Sequence, residues 1–134
     1  MSMLVLTRSG RFKADHMIPN ATKCAAMRTR TYEYKVRIEG TAQKLSPEGY
    51  LLNNEHVQTY FDSRWGAQAP AWDAVSCERM ALTSALELCA KVHAEGTDVR
   101  LVSVHIKGSN GAWIEAVCGP HDLLGAQTEG ESVN

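Results

Sequence analysis

The clearest pattern in the sequence is a strict alternation of apolar and charged residues over Thr31–Glu39. Because successive side chains of a strand point to opposite faces of a sheet, this pattern predicts a strand with one apolar and one charged face. A sheet built from such strands is covered on one side only. The apolar positions are Tyr32, Tyr34, Val36 and Ile38, and the charged positions are Glu33, Lys35, Arg37 and Glu39.

Three further segments are predicted to be strands. Met3–Asp15 has an extended pattern, and Val99–Lys107 alternates valine and isoleucine with polar residues. The sequence Gly108-Ser-Asn-Gly111 is a strong hairpin turn signal. Ala112–Val117 is therefore predicted to be the antiparallel partner of the preceding strand.

Two helices are predicted between the second and third strands. The first begins at Asn53 or Asn54, either of which can cap it, and runs to about Arg64. The second runs from about Asp73 to His93. The order β-β-α-α-β-β predicts an α+β fold, with an antiparallel four-stranded sheet and both helices packed on one face.

Length and composition indicate one globular domain. The 134 residues can bury a core without disulfides or metal, and we expect the domain to span residues 1–118 and a polar, flexible tail to span residues 119–134. A formal net charge of −1 gives no long-range field that would favour nucleic acid. No apolar run is long enough to span a bilayer. The four cysteines form no Cys-x-x-Cys pair and the N-terminus has no signal-peptide pattern, so we expect a cytoplasmic protein.

Several short motifs follow one another along the chain in an informative order. Phe12-Lys-Ala-Asp-His16 ends the first strand, Cys24 follows, Gly49-Tyr-Leu-Leu52 leads into the first helix, and Ser76-Cys77-Glu78 begins the second. With these motifs the chain resembles the 6-pyruvoyltetrahydropterin and 6-carboxytetrahydropterin synthases, a family with the tunnelling fold, from about Phe12 to Val117. The resemblance implies a catalytic role for Cys24 and a homo-oligomer formed by association of sheet edges.

The sequence departs from this family at its metal site. The family binds zinc through a histidine at the position of His16 and through a His-Gly-His motif, which reads Arg28-Thr29-Arg30 here. Arginine stays protonated and has no lone pair to offer a metal. A catalytic zinc site needs about three protein ligands. We therefore predict no metal and no cofactor.

Further positions of the family pattern are also changed. The aspartate that follows the aliphatic pair in the family is Asn53 here, and the family's aspartate–histidine pair between the helices, which helps to activate the cysteine, has no counterpart. The glutamate that anchors the pterin falls at Gly108. These losses indicate that the family reaction is not sustained.

The remaining candidate residues each have two interpretations. His16, Arg28 and Arg30 form an anion pocket in place of zinc, or the two arginines are solvated and pair with Glu33 or Glu39. Cys24 is a thiol activated by neighbouring cations, or an inherited thiol that has no base. Glu78 contacts a ligand, or it only complements the positive end of the helix dipole.

The favoured hypothesis is therefore a diverged, zinc-free homologue that acts as an oligomeric binding or structural protein. Its pocket would take a small anionic or purine- or pterin-like ligand. The alternative is an active lyase of a pterin or 7-deazaguanine pathway, with altered chemistry that uses Cys24. A third hypothesis is a role in binding a protein partner, which the sequence does not specify.

Overall fold

A computed structural model describes residues 2–17, 27–66, 76–108, 111–119 and Asp122. It confirms the α+β fold. The four strands form one antiparallel sheet in the order β1-β2-β3-β4, and the helices lie on one of its faces. The elements are β1 (Met3–Met17), β2 (Met27–Thr41), α1 (Asn54–Phe61), a π-helical turn (Asp62–Gly66), α2 (Cys77–Ala94), β3 (Val99–Lys107) and β4 (Trp113–Cys118).

The apolar face of β2 lies in the core, as its alternation predicts. Its apolar side chains are at most 5% exposed, and they pack beneath the helices together with Phe12, Phe61 and Trp65. The aromatic rings contact one another directly, and the rings of Tyr34 and Phe61 are stacked with centroids 4.2 Å apart. Burial of these rings supplies much of the apolar area that drives helix–sheet packing.

The opposite face of the sheet carries charges that pair across strands. Lys107 Nζ lies 3.3 Å from a Glu33 carboxylate oxygen, and His105 Nε2 lies 2.9 Å from Glu115. Because these pairs are largely solvated, each contributes little to stability. They do keep this face polar, as the alternation predicts.

The first two strands extend further than the apolar pattern alone predicts. Their pairing runs from Met3 opposite Thr41 to Met17 opposite Met27. Backbone pairing continues the hairpin to its end at Met17 and Met27, because ladder pairing does not depend on an apolar side-chain pattern. This extension carries the candidate site residues.

Both helices begin at side-chain caps. Asn53 Oδ1 accepts a hydrogen bond from the Glu55 N–H at 3.0 Å, which confirms the predicted start of α1. Ser76 Oγ accepts one from the Arg79 N–H at 3.1 Å. The predicted start of the second helix near Asp73 is wrong, because Ser76 has an extended backbone and α2 begins at Cys77.

The end of the first helical segment also differs from the prediction. The α-helix ends at Phe61, and the chain continues through the π-helical turn to Gly66. This turn directs Trp65 into the core, where its Nε1–H donates to Ser84 Oγ at 3.0 Å. Of the predicted C-terminal tail, only Gly119 and Asp122 are described, and the Gly119 N–H donates to the Asp122 carboxylate at 2.7 Å.

Candidate functional site

The β1–β2 hairpin brings three of the predicted site residues to one end of the sheet. His16 is paired directly with Arg28, and Ala14 is paired with Arg30. The backbone register therefore places these three positions near one another along the hairpin. The side chains of His16 and Arg28 lie outside the described part of the structure, as does all of Cys24.

Arg30 is exposed and hydrogen-bonds the Tyr32 hydroxyl. Arg30 is thus solvated, as one of the two interpretations expects, but among the described residues it forms no ion pair with Glu33 or Glu39. Arg30 shares its strand face with Tyr32, whereas both glutamates lie at odd positions on the charged face. Those glutamates instead pair with cations of that face: Glu33 with Arg11 and Lys107, and Glu39 with Arg37.

Cys77, the first residue of α2, lies beside these two side chains. Its half-buried sulfur accepts a hydrogen bond from the Gly108 N–H and is within electrostatic range of Arg30 and Tyr32. The helix start contributes further N–H groups and the positive end of the helix dipole. Three elements therefore meet at this thiol: strand β2, the N-terminus of α2 and the end of β3.

The surroundings of Cys77 keep the sulfur largely protonated. Burial raises the pKa of the thiol, and the neighbouring Glu78 carboxylate raises it further. The Gly108 N–H and the Arg30 guanidinium act in the opposite direction. Burial and the nearby Cys77 likewise raise the pKa of the Tyr32 hydroxyl, against the influence of Arg30. Since desolvation dominates at both groups, neither is a ready anion at neutral pH.

Glu78 is exposed in the first turn of α2. Its carboxylate lies close enough to Cys77 to affect the pKa of the thiol. The structure thus places Glu78 at the same end of the fold as Arg30. A cation and an anion flank the thiol from different elements.

Gly108 allows this arrangement by leaving space. A Cβ atom at Gly108 would lie 3.1 Å from Sγ of Cys77 and 3.3 Å from Cε1 of Tyr32. A glutamate at this position, which the family resemblance implies, would crowd both side chains. A residue larger than glycine at this position therefore requires Cys77 or Tyr32 to shift.

The described residues at the family's metal position do not fit zinc. Arg30 cannot donate a lone pair, and its guanidinium is hydrogen-bonded to Tyr32. Within the described ranges, no three histidine, cysteine, aspartate or glutamate side chains converge as metal ligands. The donor set found here suits anions and N–H groups better than a metal ion.

Sequence reasoning missed two contributors, Tyr32 and Cys77. Tyr32 was identified only as a core residue, although its position two residues after Arg30 on the same strand face indicates that the two side chains meet. No signal in the sequence joins Cys77 to Arg30. That contact depends on how α2 packs against the sheet.

A cavity lies elsewhere, between α1 with its π-helical turn and α2. It measures about 440 Å³ and is lined by His56, Thr59, Tyr60, Ser63, Arg64 and Lys91. Its main polar groups already bind one carboxylate: Tyr60 Oη and Arg64 Nε lie 2.5 Å and 2.9 Å from Glu87 Oε1. This cavity therefore fits a structural role between the helices.

Comparison with solved structures supports the tunnelling fold. The chain is similar to 6-pyruvoyltetrahydropterin synthase from Plasmodium vivax, at 11% identity and a TM-score of 0.57, and to a catalytic-residue mutant of that enzyme, at 12% and 0.58. The Plasmodium falciparum enzyme gives 7% identity and a TM-score of 0.59. Each alignment covers 89% of this chain and 99% of the other. At these identities the likeness shows the fold alone.

The other comparisons give no match. No protein-family model matches the sequence, and no curated protein matches it with significance. Among the described helices, none is long and apolar enough to cross a membrane. Function must therefore be inferred from the residues at the site.

Proposed function

We propose that this protein is a zinc-free binding protein built on the pterin-synthase fold. Its ligand is a small molecule that combines an anionic group with a purine- or pterin-like edge. One observation carries the proposal: Arg30 on β2 and Glu78 on α2 both influence the pKa of the Cys77 thiol electrostatically, in opposite directions. The binding site consists of these three residues, together with His16 and Arg28 on the adjoining hairpin.

Arg30 is suited to the anionic group of the ligand. A guanidinium has five N–H donors in a fixed fork, and one hydrogen bond to Tyr32 leaves others for a phosphate or carboxylate. The N-terminus of the 18-residue helix α2 adds favourable electrostatics for negative charge. The exposed position of Arg30 lets a ligand approach from solvent.

Glu78 is suited to the heterocyclic edge of the ligand. Guanine-like rings present an amino group and a ring N–H side by side, and a carboxylate can accept from both. In the resembled family a glutamate from a different position holds this edge, and that position is Gly108 here. An exposed carboxylate in the first turn of α2 is the described acid nearest to Cys77 along the chain.

Self-association through sheet edges is part of the proposal. The edge strands expose apolar side chains on or near the charged face: Met3, Val5, Trp113 and Val117 are each 46–53% exposed. Exposed edge strands favour pairing with another copy of the chain. Sedimentation analysis tests this point, and a monomer at all concentrations would contradict it.

Calorimetric titration with dihydroneopterin triphosphate tests the binding function. We expect binding by protein treated with a chelator, no turnover with or without added zinc, and affinity reduced about 10- to 100-fold in Arg30→Ala, the range for loss of a charge-assisted contact. Arg37→Ala is the matched control, because Arg37 lies on the same strand but on the opposite face. Equal affinities of the two variants would overturn the proposed site.

The same titration separates the alternative functions. Stoichiometric zinc in the purified native protein would contradict the zinc-free proposal. Turnover that is lost in Cys24→Ser would establish the lyase of a pterin or 7-deazaguanine pathway in its place. Absence of binding by all pterin and purine triphosphates would leave a structural role for the fold.

A further inference from the structure

A further cavity lies on the charged face of the sheet, opposite the face that packs against the helices. Its charged-face side chains are Ser9, Arg11, Glu33, Lys35 and Trp113. Residues of both edge strands line it, so the twisted sheet is concave here. The cavity measures about 350 Å³, which is within the size range of small-molecule sites.

Strand pairing explains why these side chains meet. One row of directly paired residues crosses all four strands on this face, and its members in order are Arg11, Glu33, Lys107 and Trp113. Lys35 lies on the same face, two residues beyond Glu33 on β2. The register therefore sets several cations beside one aromatic ring.

Trp113 is the exposed aromatic group of this cavity. It is 46% exposed, and the ammonium nitrogens of Lys35 and Lys107 lie 5.8 Å and 5.6 Å from its ring centroid. Both distances are in the cation–π range. An anionic group held by either ammonium therefore brings the atoms next to it against the indole. The exposed part of the ring is available to a planar group of the same ligand.

The carboxylate in this row leaves positive charge over. Glu33 is shared by two cations, at 3.3 Å from Lys107 Nζ and 3.9 Å from a guanidinium nitrogen of Arg11. The Arg11 side chain is 74% exposed, and solvated pairs of this kind are weak. A guanidinium has five N–H donors, so Arg11 retains donors for a ligand anion.

Lys35 adds a third cation to the cavity. The other nearby carboxylate, Glu115, lies 2.9 Å from His105 Nε2. Among the residues that the structure describes, Lys35 forms no ion pair with a carboxylate. Lys35 is exposed, and its ammonium approaches the Trp113 ring. The charges of this face therefore favour an anion next to Trp113.

We propose that this cavity is a second binding site, which takes a nucleoside monophosphate. The phosphate lies between Lys35 and Arg11, because its oxygens can accept from both cations at once, and the base lies against the exposed part of Trp113. One indole ring accommodates one base. The site is independent of the one at Arg30, which lies on the other face of β2. Edge association uses backbone groups of the outer strands and leaves this face accessible.

Trp113 itself reports binding, because contact with a base changes the fluorescence of an indole ring. Titration of the wild-type protein with adenosine 5′-monophosphate should quench tryptophan emission saturably. Trp113→Phe should remove this change, although Trp65 and Trp72 remain. Adenosine, which lacks the phosphate, should bind at least about 10-fold more weakly.

Calorimetric titration with adenosine 5′-monophosphate tests the charged part of the site. Lys35→Ala should lower the affinity about 10-fold, as loss of a charge-assisted contact does. Arg37→Ala is the matched control, because Arg37 lies on the same face of the same strand, pairs with Glu39 and does not line the cavity. Arg30→Ala should retain the wild-type affinity, which separates this site from the one at the end of the sheet.

Three results would overturn the proposal: no saturable binding of the nucleotide, equal losses in Lys35→Ala and Arg37→Ala, or loss of binding in Arg30→Ala. A single-stranded oligonucleotide that binds more tightly than the mononucleotide and requires Trp113 and Lys35 would make this face a nucleic-acid surface, which also contradicts a small-ligand site. If Trp113→Phe does not fold, the calorimetry of the lysine and arginine variants decides the question.

Discussion

The two ends of strand β2 differ in how their polar groups are paired and in which atoms surround them. At the Thr41 end, the Thr41 hydroxyl donates to the Asp98 carboxylate and its N–H donates to the Asp98 carbonyl at 3.0 Å. Arg100 binds the same carboxylate at 3.1 Å. A Cβ at neighbouring Gly40 would lie only 2.5 Å from the Asp98 carbonyl oxygen. At this end of the strand, backbone atoms therefore leave no room for an additional side chain.

The Arg30 end is bounded by side chains instead. Arg30 is exposed, and the atoms nearest to Gly108 belong to Cys77 and Tyr32, whose side chains can adjust. Side chains that can move permit the approach of a ligand, whereas a backbone wall does not. The comparison indicates that one end of the strand stabilises the sheet and that the other carries the chemistry.

Paired glycine substitutions test this difference, and the effect should be largest at Gly40. Gly40→Ala should lower the free energy of unfolding by about 3 kcal/mol, because the new methyl group meets backbone that cannot give way. Gly108→Ala should cost less than about 1 kcal/mol, because Cys77 and Tyr32 can shift by a few tenths of an ångström. Urea denaturation measures both. Similar losses at the two positions would contradict the contrast.

Acid should reduce the stability that the contacts of Asp98 at the Thr41 end contribute to the fold. The hydrogen bond from Thr41 holds the pKa of Asp98 below its usual range, and a weaker contribution comes from the hydrogen bond donated by Arg100. A depressed folded-state pKa contributes stability that is present above the unfolded-state value of about 3.9 and is lost as the pH falls through the lower folded-state value. In Thr41→Val the decline of the urea midpoint below about pH 4 should be shallower. Thr59→Val, an exposed change on α1, should leave the decline unaltered.

Alkali should reduce the stability contributed by Cys77 at the Arg30 end, by a smaller amount than acid reduces that contributed by Asp98. Burial raises the folded-state pKa of Cys77, so its contribution is complete below the unfolded-state value of about 8.5 and is lost as the pH rises through the folded-state value. Cys77→Ser should make the loss of stability above about pH 8 shallower. If the stability of the variant and that of the wild-type protein decline equally with rising pH, the thiol is not desolvated as described.

The sequence predicts the fold well because its signals are local. The alternation around Val36 and Ile38 fixes which face of β2 is buried, and Asn53 marks the start of α1. The start of α2 is predicted too early because apolar residues before Ser76 extend the helical pattern, whereas the Ser76 cap sets the boundary. Backbone capping outweighs periodicity at such a boundary.

The site is less predictable because it depends on contacts between distant segments. The backbone pairing of His16 with Arg28 follows from the β1–β2 hairpin. The proximity of Arg30 to Cys77 links β2 to α2 across more than forty residues, and no local pattern encodes it. The proposed roles of Cys24, His16 and Arg28 remain predictions.

Protection of Cys77 from alkylation tests the central claim most directly, since this thiol is within the electrostatic influence of both Arg30 and Glu78. The rate of its modification by iodoacetamide, followed by peptide mass spectrometry, is measured with and without dihydroneopterin triphosphate in zinc-free buffer. The account predicts saturable protection in wild-type protein and in Arg37→Ala, and loss of protection in Arg30→Ala. A modification rate that is unchanged at every ligand concentration would contradict a binding site at this end of the sheet.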